Sequence, residues 1–123
     1  MIDEQLRDHI ISLLTGWLVT FDYFYDDQGE DEKQFIIRSA GGGIDGFNGE
    51  PSFDLVAIGV NQDSGAPKTV LSQVTDYLLT NFAFADIINV NIVSGARPSG
   101  MLSNNRPVYT MTISLITERK EGL

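Results

Sequence analysis

A chain of 123 residues with 42% hydrophobic and 20% charged side chains has the size and balance of one globular domain with its own core, which needs neither metal nor disulfide to fold. It has no cysteine, which excludes thiol nucleophiles, thiolate metal sites and disulfide staples, and its formal charge of -9 opposes tight gripping of nucleic-acid phosphate, which is driven by Lys and Arg. No apolar run approaches the roughly 20 residues of a membrane span, and the N-terminus lacks the basic-then-apolar pattern of an export signal.

From Asp3 to about Thr15, Leu6, Ile10, Leu13, Leu14 and Trp17 recur at helical spacing, which predicts an amphipathic helix. Asp3 is placed to cap it, Glu4 and Asp8 favour its positive end, and Gly16 supplies the residue that commonly closes a helix. Trp17, Val19, Phe21, Tyr23 and Tyr25 then alternate with other residues, as in a strand. The next segment is an acidic run with Asp26, Asp27, Glu30, Asp31 and Glu32. It is expected to be a solvated loop, with a cation site or an acidic partner-facing patch as the alternatives; it lacks the glycine and glutamate positions of a calcium loop.

Lys33 to Ala40 reads as a strand entering Gly41, Gly42 and Gly43. The Asn48-Gly49 pair and Pro51 downstream belong to turns, and the glycine spacing is not that of a phosphate loop, so a glycine-rich bend or bulge is expected. Phe53 to Val60 is apolar on both alternating faces and is therefore placed centrally in a sheet. A second helix starts near Pro67 and presents Val70, Leu71, Val74, Leu78 and Phe82, with Ser72, Gln73, Asp76 and Thr80 on its outer side.

Two strands close the chain, Ile87 to Val93 and Pro107 to Thr117, expected to pair antiparallel around a long loop from Gly95 to Arg106. Tyr109, Met111, Ile113 and Leu115 form the core face of the last strand; Val108, Thr110, Thr112, Ser114 and Ile116 form the other. In the partner strand Ile88, Val90 and Ile92 are assigned to the core, with Asn89 and Asn91 opposed. The elements predict an α+β fold in a single domain, residues 1–123, with two helices packed on a mainly antiparallel or mixed β-sheet.

Chemistry finds little support in this inventory. His9 is the only histidine and is assigned to the surface of the first helix, so a hydroxyl nucleophile lacks a histidine base. Asp45, Glu50 and Asp54 could converge near the glycine bend as an acid and base pair or as cation ligands, without a specific motif for either. No catalytic, cofactor-binding or metal-binding residue is assigned.

The order of elements, with the segment Phe35-Ile-Ile-Arg-Ser-Ala-Gly-Gly-Gly43 and the closing Ile92-Val-Ser-Gly through Arg106-Pro-Val-Tyr-Thr-Met-Thr-Ile113, resembles the tail terminator, or tail completion, proteins of long-tailed bacteriophages from Ile2 to Glu118. The resemblance implies a non-enzymatic virion component assembled in the bacterial host cytoplasm. It implies a homo-oligomeric ring, a hexamer in the family, at the head-proximal end of the tail tube, where it ends tube polymerisation and offers a surface for head joining. The implied partners are further copies of the chain, the tail tube protein and head-tail connector proteins, with no cofactor, no membrane and no sequence-specific DNA binding. On this reading Arg97, Asn104, Asn105 and Arg106 of the terminal loop and Thr110, Thr112 and Ser114 of the last strand are the expected interface residues, and the acidic loop faces the lumen or solvent. Another phage neck or head-closure protein, or a ligand-binding or regulatory α+β module whose glycine bend and terminal loop rim a pocket, are the competing readings.

Overall fold

The structure, a computed structural model, describes residues 2–21, 33–41, 51–60, 65–85, 87–101 and 106–117. Helix α1 (Ile2–Ile10) runs into a 3-10 turn (Ile11–Leu13), and strands β1 (Leu18–Phe21), β2 (Gln34–Gly41) and β3 (Ser52–Ile58) come next. Helix α2 (Gly65–Thr80) precedes the last two strands, β4 (Ile87–Met101) and β5 (Pro107–Thr117). The five strands form one sheet in the order β1-β2-β3-β5-β4. Only β1 and β2 are parallel; the remaining neighbours are antiparallel, so the sheet is mixed and the fold α+β.

Alternation explains the layering. Phe35 and Ile37 of β2, Phe53, Leu55 and Ala57 of β3, and Met111, Ile113 and Leu115 of β5 share one core with Leu6, Ile10 and Leu14 from the first helical segment and Val70, Leu71, Val74 and Leu78 of α2. Both helices therefore cover the same sheet face. A fully buried Leu or Ile contributes about 1.5–3 kcal/mol of transfer free energy, which makes this shared layer the principal source of stability. The other parity of the central strands forms a smaller cluster of Ile36, Val56 and Ile58, with Val108 against it, and β3 lies in the centre of the sheet as its two apolar faces require.

The ends of the helices depart from the expected pattern. Helix α1 already includes Ile2, so Asp3 lies in its first turn rather than capping it, its carboxylate accepting the N–H of Glu4 at 2.8 Å. Gly16 closes the segment with φ +88°, a conformation that a residue with Cβ adopts at a cost. Helix α2 stops at Thr80, where the backbone N–H and the side-chain amide of Asn81 both donate to the Tyr77 carbonyl, at 2.7 and 3.1 Å. That early stop leaves Phe82 outside the helix and 47% exposed, against the expectation that it continues the apolar stripe; Phe84 packs on the core in its place.

The terminal hairpin is longer and less regular than expected. Strand β4 continues through Gly95 to Met101, so most of the supposed loop is paired strand. Its 15 residues face the 11 of β5, and the surplus is absorbed at four register shifts, within Ile87/Asn89, Ile92/Ser94, Ser94/Arg97 and Pro98/Gly100. A bulge that adds one residue to one strand reverses the parity of the residues beyond it. Ile88 is the extra residue of the first and is 50% exposed, while Ile87 and Val90 are buried; the core set of this strand is thus Ile87 and Val90 with Ile92 partly buried, not Ile88, Val90 and Ile92. A further shift between Ser39 and Gly41 ends β2 in a bulge, at the start of the glycine run.

Candidate functional site

The helix-free face of the sheet carries a polar row that crosses four strands. Register pairs Arg38 of β2 with Asp54 of β3, Asp54 with Thr112 of β5, and Thr112 with Ser94 of β4. These side chains connect: the Arg38 guanidinium donates to Asp54 Oδ2 at 3.1 Å, and the Thr112 hydroxyl donates to Asp54 Oδ1 at 2.7 Å. Arg97, from the next row of β4, donates to Ser94 Oγ at 2.7 Å and reaches Thr112 Oγ1 and the Thr110 carbonyl at 3.5 and 3.4 Å. Asp54 therefore serves as the acceptor at the centre of a cross-strand network. Such networks hold neighbouring strands in one register.

The predicted interface residues take different places in this arrangement. Arg97 is exposed and stands on the helix-free face at the β4 edge. Thr112 and Ser114 are half-buried on the same face. Thr110 is buried, and its hydroxyl accepts from Ser99 Oγ at 2.6 Å across the hairpin. Arg106 is fully buried, and its Nε–H donates to the Gly59 carbonyl at 2.8 Å. Beside it the Gly59 N–H donates to the Pro107 carbonyl at 3.0 Å, so this arginine ties the end of β3 to the start of β5. The expectation that Arg106 reaches out to a partner is corrected: a guanidinium withdrawn from solvent is held by acceptors of its own chain. Asn104, Asn105, Asp26, Asp27, Glu30, Asp31, Glu32, Asp45 and Glu50 lie outside the described residues.

His9 holds together the opposite side of the molecule. Its Nε2–H donates to the Asn81 carbonyl at 2.7 Å, and its ring stacks on Phe84 at 3.9 Å with a 9° interplanar angle and leans on Tyr77 at 5.0 Å. The histidine links α1 to the end of α2, a role the sequence did not suggest. An open groove nearby is lined by Ser12, Leu13, Gln73, Asp76, Tyr77, Thr80 and Asn81. None of these lining residues belongs to the β4–β5 hairpin, and the terminal loop expected to rim a pocket is largely strand. Among the described residues no group of three His, Asp or Glu side chains is placed to hold a metal ion, and no helix is long and apolar enough to cross a membrane.

The polar row ties the helix-free face together, the two helices cover the other face, and β4 forms a long bulged edge. The sequence matches the family model described as phage tail termination protein over residues 1–119. The chain belongs to the phage tail termination protein family. No curated protein matches the sequence closely enough to count as a relative. Membership makes this a bacteriophage tail protein, hence a virion component, in a family named for an assembly role rather than a reaction.

Two features escaped the sequence reading although their signals were present. Arg38 and Asp54 both occupy the outward parity of consecutive strands, so pairing β2 with β3 in the register observed would have shown the contact. The burial of Arg106 had a weaker signal, its place immediately before Pro107 at the start of a core strand.

Proposed function

We propose that this chain forms a ring at the head-proximal end of the phage tail tube, ends polymerisation of the tube and then presents a surface to the head-tail connector. The observation that carries this reading is the match to the tail termination family over nearly the whole chain. The structure supports it in physical terms: the Arg38–Asp54–Thr112 row stiffens a sheet face suited to protein contact, and the bulged β4 edge is exposed from Gly95 to Met101. The partners are further copies of the chain, the tube protein and the connector. Stopping a polymer requires a tight, oriented contact with its last subunit ring and no bond chemistry.

Position on the tail tests the proposal. A gold-labelled chain added to tails lacking their own terminator should appear in electron micrographs at one end of each tube, the end opposite the tip that meets the host. Labelling along the tube, or of DNA-filled heads in preference to tails, would contradict it, the latter indicating a head-closure protein.

A further inference from the structure

The groove between the first helical segment and α2 carries a carboxylate with no partner. It is open, with a volume of about 590 Å³, which is within the range of sites that hold a small ligand. Asp76 is the one charged residue among those that line it. Among the described residues no cation pairs with this carboxylate, since the ion pairs are Arg7–Asp8 and Arg38–Asp54. The groove follows the C-terminal half of α2, whose last turn holds no basic residue. The negative end of that helix dipole therefore lacks a Lys or Arg of its own helix. His9 donates to the Asn81 carbonyl just beyond the helix, but it does not line the groove.

Hydrogen bonding biases the same groove toward acceptors. The Thr80 hydroxyl donates back to the Asp76 carbonyl at 3.1 Å, and the Asn81 side-chain amide donates to the Tyr77 carbonyl at 3.1 Å. A hydroxyl has one proton to give, so Thr80 keeps only lone pairs for a ligand, while Asn81 keeps its Oδ1. The Asp76 carboxylate accepts only. Leu13 and the half-buried Tyr77 add apolar surface beside these groups. One carboxylate is too few for a hard metal cation, which takes six or more oxygens, and among the described residues no group of three His, Asp or Glu stands ready for one. An organic cation needs less. A guanidinium brings five N–H donors and no acceptor, and its aliphatic stem lies readily along apolar surface.

We infer that this groove binds an arginine side chain from a segment of another protein. Asp76 supplies the paired charge, Thr80 and Asn81 supply neutral acceptors, and Leu13 and Tyr77 flank the stem. The site goes beyond the terminating role and does not depend on it. Charge selects the occupant: a chain of charge -9 draws basic segments toward itself and repels nucleic-acid phosphate, which Asp76 would also oppose. A lysine ammonium is a compact point charge with three donors, so it serves several separated acceptors less well than the planar guanidinium.

A peptide titration followed by NMR tests the inference. The probe is a capped tripeptide with one arginine between glycines, added to the isotope-labelled full chain under conditions that tolerate an oligomer's mass. The backbone amide signals of residues 12–13 and 73–81 should shift saturably, with a Kd on the order of 1–10 mM. The same peptide with citrulline, which keeps the shape of arginine without its charge, should bind at least about 10-fold more weakly. Asp76→Asn, checked for folding by circular dichroism, should weaken the arginine peptide by about 10-fold and leave the citrulline peptide unchanged. Equal binding of the two peptides, unchanged arginine binding by Asp76→Asn, or shifts that map to the acidic run at 26–32 instead of the groove would overturn the assignment. The absence of any saturable shift at peptide concentrations about tenfold above the expected Kd would also overturn it. Each of these results leaves the terminating role untouched, because that role is read from the tail tube and not from this groove.

Discussion

Replacing Arg106 by alanine should destabilise the monomer itself. The side chain is fully buried and its Nε–H donates to the Gly59 carbonyl at 2.8 Å. Removing the donor leaves that carbonyl unsatisfied, a cost of about 1–3 kcal/mol. Loss of the packed aliphatic stem and the cavity left behind add about 1–2 kcal/mol. The expected destabilisation is therefore about 2–5 kcal/mol. Urea unfolding followed by tryptophan fluorescence measures it through Trp17, which packs edge-on against core Phe35 at 6.4 Å. With an m-value of roughly 1–2 kcal/mol/M for a domain of this size, the midpoint should fall by at least about 1 M. Arg97→Ala is the control: its bonds are made on an exposed face, and its cost should stay below about 1 kcal/mol. Equal, small effects at the two positions would refute the assignment of Arg106 to the fold.

The other structural features make further predictions. His9→Ala removes the bond to Asn81 and the stack on Phe84, and should cost about 1–2 kcal/mol in urea unfolding; hydrogen exchange should rise locally over residues 77–87 and not in β3. A double-mutant cycle on Arg38→Ala and Asp54→Ala should give a coupling of at most about 1 kcal/mol, because the pair is half exposed at 48% and 21%. Ala85 stands at φ +48° without being glycine. Relief of about 1–2 kcal/mol of strain exceeds the entropy glycine adds to the unfolded chain, about 0.4–1 kcal/mol, so Ala85→Gly should leave the melting temperature unchanged or higher, and a clear fall would count against strain at this turn.

Periodicity made most of the fold legible. The spacing of Leu6, Ile10 and Leu14, the two apolar faces of Phe53 to Ile58, and the alternation from Met111 to Leu115 each define which side of an element is buried, and each lies as read. Bulges were not legible, because an extra residue leaves composition unchanged and only shifts parity, as Ile88 demonstrates. The stop of α2 before Phe82 depended on Asn81 folding back onto Tyr77, a local competition that an apolar stripe does not reveal. At the candidate face, the outward parity of Thr112 and Ser114 could be read from β5 alone. The contacts of Thr112 could not, since Asp54 lies 58 residues away in the chain and becomes a neighbour only once the strand order is known.

Growth of the tail tube in the presence of this chain tests its proposed role most directly. Purified tube protein from the same phage, polymerising from tail-tip complexes, should stop elongating when the chain is added in excess over growing ends, giving tubes of fixed length in electron micrographs. Tubes that continue to lengthen at an unchanged rate would contradict a terminating function.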